Sequence, residues 1–97
     1  MEKIITEAIK TKKLISFTYS GLPRIVEPHI YGINDGAPQI LGYQVRGRSS
    51  KGNVPDWRRF NLPGMHDLKI LDETFPGRRP SYSGQHTRWD QQILMVE

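Results

Sequence analysis

The chain has 97 residues, 36% of them apolar, and 14 Lys and Arg against 10 Asp and Glu give it a formal charge of +4. That length suits one domain with one modest core. Without cysteine it has no disulfide framework, thiol nucleophile or Cys-ligated zinc, and no apolar run approaches the roughly 18 residues of a membrane-spanning helix.

The chain opens with an expected helix over residues 3–12. Ile4, Ile5, Ala8 and Ile9 form one apolar stripe, with Glu2 and Glu7 early and Lys10, Lys12 and Lys13 late. This charge order complements the helix dipole, which is reason enough for the lysines. Residues 15–19 then alternate as a first strand, with Ile15, Phe17 and Tyr19 on one face and Ser16 and Thr18 on the other. Ser20-Gly21-Leu22-Pro23 reads as a turn into a second strand over residues 24–31. Pro28 cannot donate to a ladder and so belongs at an edge or a bulge.

Asn34-Asp35-Gly36 is the sharpest hairpin signal, because Asp-Gly supplies the positive φ angles of a tight turn. A third strand follows over residues 39–46. A Gly/Ser/Asn-rich loop over 47–55 carries Arg48 and Lys51, and a fourth strand covers 57–62 until Pro63-Gly64 ends it. Residues 66–71 form a short fifth strand, and 72–84 a Pro/Gly/Arg-rich connection. Residues 89–96 fit a helix face through Trp89, Ile93 and Val96, or a strand face through Ile93 and Met95. Short strands at close spacing with turn residues between them imply a mainly β fold, a small closed or nearly closed barrel.

Taken in order, Ile15-x-Phe17-x-Tyr19, Arg24-x-Val26-x-Pro28, Ile40-x-Gly42-Tyr43 and Arg58-x-Phe60-x-Leu62 resemble the WYL domain over most of the chain. The resemblance implies a five-stranded SH3-like (Sm-related) barrel with an N-terminal α-helix. It divides a single domain, 1–97, into helix, barrel over about 14–72 and C-terminal extension over 73–97. It also implies a ligand-sensing role, for a nucleic acid in some members, beside transcription regulators. The chain departs from the family at its eponymous triplet, where Pro38-Gln39-Ile40 stands, and it lacks the later arginines and aspartate of the Arg-rich run ending at Met65. Fewer than 15 residues precede the first strand, too few for a winged helix, so operator reading would fall to a partner regulator.

The candidate ligand-binding residues are Arg24, Tyr43, Arg46, Trp57, Arg58 and Arg59. Arg58 shares the face of Phe60, and a charge there needs either a partner or a place at the barrel rim. Glu27 is the candidate partner. The alternative is an anion-binding guanidinium, whose planar fork grips phosphate with two bonds. Trp57, Arg59 and Asn61 take the opposite face, a candidate stacking platform that Tyr19, Tyr31 and Tyr43 would extend. The competing reading packs these aromatics under the helix or the C-terminal tail.

His29, His66 and His86 lack ligand spacing, so no metal is expected. No serine has a nucleophile-elbow context and no carboxylates are paired for acid–base work, so the reading is non-enzymatic and without cofactor. The mild basic excess and the Arg/aromatic pattern favour a ligand-sensing or regulatory module for single-stranded nucleic acid or a nucleotide-like anion. The alternative is a protein-interaction module that binds a regulator protein or forms a homo-oligomer. Lacking a signal-peptide apolar region, the chain reads as cytoplasmic, with no membrane partner.

Overall fold

The computed structural model describes residues 1–49, 52, 54–80 and 88–97. Helix α1 spans Glu2–Thr11, and its stripe of Ile5, Ala8 and Ile9 is buried against the sheet. It ends where Lys12 turns left-handed at φ 55°, its N–H returning to the carbonyls of Ala8 and Ile9. The strands are β1 (Lys13–Tyr19), β2 (Leu22–Asn34), β3 (Ala37–Gly47), β4 (Asp56–Asn61), β5 (His66–Thr74) and β6 (Gln91–Met95), with a 3-10 turn at Leu62–Gly64 between β4 and β5.

Two hairpins fix the register. Ser20 and Gly21 have φ of 52° and 73°, and Asp35 and Gly36 have 52° and 75°. Positive φ at both central residues is the two-residue turn whose twist matches the strands it joins. The first turn is therefore only Ser20-Gly21, and β2 already begins at Leu22. Pro28 does sit at a bulge, since the β2–β3 register slips between Pro28 and Ile30. The extra residue is His29, whose carbonyl accepts from the Val96 N–H at 2.7 Å.

The strand order is β4-β3-β2-β1-β5, all antiparallel, and β6 pairs with the second half of β2. Two expectations are corrected. There are six described strands instead of five, because the C-terminal segment is a strand. Its inward residues are Leu94 and Val96 rather than Ile93, which is exposed. Nor is the sheet a closed barrel among the described residues: β4 and β5 are joined through the 3-10 turn and share no ladder.

The inner face gathers Ile15, Phe17, Val26, Ile40, Phe60, Leu62 and Met65 against α1. Phe17 and Phe60 meet edge to face at 4.9 Å, and Tyr19 meets Phe60 at 5.0 Å. Such pairs add about 0.5–1.5 kcal/mol each beyond burial. Gly42 is required here, because a Cβ on it would run into Val26 Cγ1. No described helix is long and apolar enough to cross a membrane.

Candidate functional site

Strand alternation carries the inner face past the aromatic core to a polar end. Phe17 pairs with Arg24, Val26 with Gln44, Gly42 with Arg58 and Ile40 with Phe60, so Arg24, Gln44 and Arg58 lie on the core side. Arg24 is 4% exposed. It donates through Nη1 to Gln44 Oε1 and through Nη2 to the Tyr19 carbonyl, each at 3.2 Å. Its Cζ lies 5.7 Å from the centres of both the Tyr19 and Phe60 rings. Nε is buried with no hydrogen-bond partner among the described residues. Gln44 is held in turn, its amide donating to the carbonyls of Arg46 and Arg48.

No described carboxylate lies within ion-pair distance of Arg24. Burial pushes its pKa below the ordinary arginine value, the nearby charge of Arg58 pushes it further, and Tyr19 opposes them. Arg58 is the member that reaches the surface, its side chain 11% exposed, with Asp56 3.9 Å away. Asp56 is half exposed and also accepts from the Trp57 N–H at 2.8 Å. Two guanidiniums thus converge at one end of the core face, with the Asp56 carboxylate at its margin.

The other expected residues lie elsewhere. Arg46, on the outer face, forms a two-pronged pair with Glu73 at 3.0 and 2.6 Å, tying β3 to β5. The Glu73 hydrogen bond raises the Arg46 pKa and lowers that of Glu73. Arg59 stacks over Trp89 at 4.3 Å and donates to the Arg88 carbonyl at 2.9 Å. Burial lowers its pKa, Arg88 lowers it further, and Asp35 opposes both. Glu27 does not meet Arg58, because it faces outward where Arg58 faces in. Tyr31 is buried under the helix, where burial and then Glu2 raise its pKa. Tyr19 belongs to the aromatic core, its hydroxyl accepting from the Asn61 N–H at 3.1 Å. Neither joins an outer platform.

The outer face of the same strands carries Tyr43 and Trp57 in a cluster covered by the segment after β5, in line with the reading that packs them under the C-terminal part of the chain. Glu27, Tyr43 and Trp57 are successive register partners across β2, β3 and β4. Trp57 meets Tyr43 at 5.3 Å and His29 at 4.8 Å, and His29 meets Phe75 at 5.2 Å. Arg79 descends from the segment after β5 onto this row. It donates to both oxygens of Glu27 at 2.6 and 2.9 Å, and its Cζ lies 4.6 Å from the Tyr43 centroid. His29 Nε2 lies 3.2 Å from Glu27 Oε1. Burial pushes the Glu27 carboxyl up, but the hydrogen bonds from Arg79 and His29 outweigh it and hold the pKa below the ordinary value. Glu27 is expected to pair with Arg58 and pairs with Arg79 instead, which the sequence offers only as one of several arginines in the 72–84 connection.

The described residues hold no cluster of metal-ligating side chains; His86 and Lys51 lie outside the described residues. No family model matches the chain, and no curated protein or solved structure matches it.

Proposed function

We propose that this chain is a non-enzymatic ligand-sensing module of the WYL type, whose Arg24–Arg58 end binds the phosphate of a nucleotide or a single-stranded nucleic acid. The observation that carries the reading is Arg24, a guanidinium 4% exposed, facing a second guanidinium and no described carboxylate partner. A buried charge without a counter-charge is costly unless something offsets it. An anion bound at the Arg58 side supplies counter-charge to Arg24 behind it, and a planar guanidinium is suited to hold a phosphate there. The strand order β4-β3-β2-β1-β5, with a 3-10 turn between the edge strands, supports an SH3-like (Sm-related) arrangement opened at that seam. A duplex is disfavoured, since α1 has its apolar face buried and no other described helix could enter a major groove. The setting is cytoplasmic, with a separate regulator protein reading any operator.

The test titrates short single-stranded DNA and RNA, duplex DNA and free nucleotides at low and moderate salt, with Arg58→Ala alongside. Binding should weaken with salt by about 0.7 in the slope of log K against log salt for each phosphate contacted on a single strand. Arg58→Ala should remove about one such contact. Absence of binding at low salt would overturn the reading and leave the interaction-module alternative, with the edges of β4 and β5 as its surface.

A further inference from the structure

The outer cluster is independent of the anion site and has the opposite chemistry. Its fixed part is built entirely from paired strands: Glu27 in β2, Tyr43 in β3 and Trp57 in β4. The Glu27 side chain is 4% exposed, so a carboxylate is sunk into the sheet beside the Tyr43 ring and the His29 imidazole, with Trp57 packed on both of these rings. What fills the notch is not part of the sheet. Arg79 comes from the irregular segment after β5, anchored by the Phe75 N–H on the Lys12 carbonyl at 2.9 Å and by Arg78 Nε on the Val96 carbonyl at 3.3 Å. The Arg79 side chain remains 40% exposed, so the notch opens to solvent through its occupant.

The contacts select a guanidinium. Two roughly parallel hydrogen bonds to one carboxylate need a planar fork, and the same plane offers a face to Tyr43. An ammonium makes a point contact and cannot satisfy both oxygens and the ring in this way. We propose that the Glu27–Tyr43–Trp57 notch is a recognition site for a guanidinium group, held in cis by Arg79, and that a guanidinium supplied in trans, as on an arginine side chain, takes the same place once Arg79 is withdrawn.

Emptying the notch tests this. In Arg79→Ala, Glu27 loses both charge-assisted bonds, and a guanidinium supplied from solution should restore them. The probes are agmatine and a Gly-Arg-Gly peptide, with butylamine and Gly-Lys-Gly as ammonium controls. The readouts are thermal stability and the fluorescence of Trp57 in a variant whose other indole is Trp89→Phe. Agmatine at about ten times its dissociation constant should raise the Tm of Arg79→Ala by roughly 5 °C or more. The wild type, its notch filled, should move by less than about a quarter of that, and the double variant Glu27→Gln/Arg79→Ala should not respond.

A peptide response tighter than that of agmatine adds a contribution from the flanking backbone, equal responses place recognition in the guanidinium alone, and both uphold the site. Should Arg79→Ala fail to fold, return of native near-ultraviolet dichroism on adding agmatine upholds it equally. The proposal is overturned if neither guanidinium probe gives a saturable response in Arg79→Ala. It also fails if the ammonium controls match them, or if the Glu27→Gln background responds as strongly.

Discussion

Replacing Arg24 with methionine separates a charge kept for a ligand from a charge kept for the fold. Methionine is unbranched, nearly as long, and makes favourable contacts with the Tyr19 and Phe60 rings that now lie 5.7 Å from the guanidinium. The losses are two hydrogen bonds, each at the long distance of 3.2 Å, and a buried Gln44 oxygen left without its donor. Together these cost about 2–4 kcal/mol. Against them stand the desolvation of a nearly buried cation, several kcal/mol for one ion, and the repulsion from Arg58. The net change in the ligand-free protein should lie within about 1 kcal/mol of zero, or a Tm shift within about 8 °C for a domain of this size.

Had Arg24 been half of a buried ion pair, the same truncation would cost about 3–5 kcal/mol. The assay is thermal unfolding with and without phosphate or a nucleotide. The ligand should raise the wild-type Tm by mass action and raise that of Arg24→Met by clearly less. A drop near 4 kcal/mol in the unliganded variant would refute the reasoning, because it would mean the chain itself neutralises Arg24.

Other outcomes follow from the same geometry. Arg46→Ala should leave the salt slope of anion binding unchanged and scarcely move the Tm, since Arg46 is spent on Glu73 in an exposed pair; titrations in parallel with Arg58→Ala decide it. Glu27 has a depressed folded pKa, so its contribution to stability is present above the unfolded value of about 4.3 and is lost as pH falls through the folded one. Thermal melts from pH 6 to pH 3 should therefore show a shallower decline for Glu27→Gln, from a lower starting point, than for the wild type. Gly42→Ala should destabilise by about 1–3 kcal/mol, measured by urea unfolding, because its Cβ would meet the fully buried Val26 side chain and the Glu27 carbonyl.

The sequence exposes the elements well where local chemistry decides them. Asp35-Gly36 needs positive φ and folds as that hairpin, and Pro28 needs a place without a donor and has a bulge beside it. The helix stripe at Ile5, Ala8 and Ile9 is likewise buried as its period requires. The C-terminal strand was ambiguous because its partner is the far half of β2, some 60 residues earlier in the chain, and no local pattern encodes that pairing. The candidate site was legible in part. Arg58 and Phe60 sharing a face follows from period two, and it placed a charge at the core end. That Arg24 joins Arg58, while Arg46 and Arg59 go to separate partners, depends on strand register and on Glu73 and Trp89, neither of which lies near them in sequence.

The same periodicity accounts for two opposite sites on three strands. Tyr43 and Gln44 are neighbours, as are Trp57 and Arg58, and successive side chains of a strand point to opposite faces. One face therefore collects Arg24, Gln44 and Arg58, and the other Glu27, Tyr43 and Trp57. A slip of one residue in the β3–β4 register would turn Arg58 outward beside Tyr43 and bring Trp57 into the core. Gly42 opposes that slip on the β3 side, since only a glycine fits against Val26, and Phe60, 1% exposed in the aromatic cluster, opposes it on β4. The packing that fixes the core thus also fixes which face gathers cations and which holds the sunken carboxylate. A net charge of +4 says nothing of this division, because it averages over two faces of unlike character.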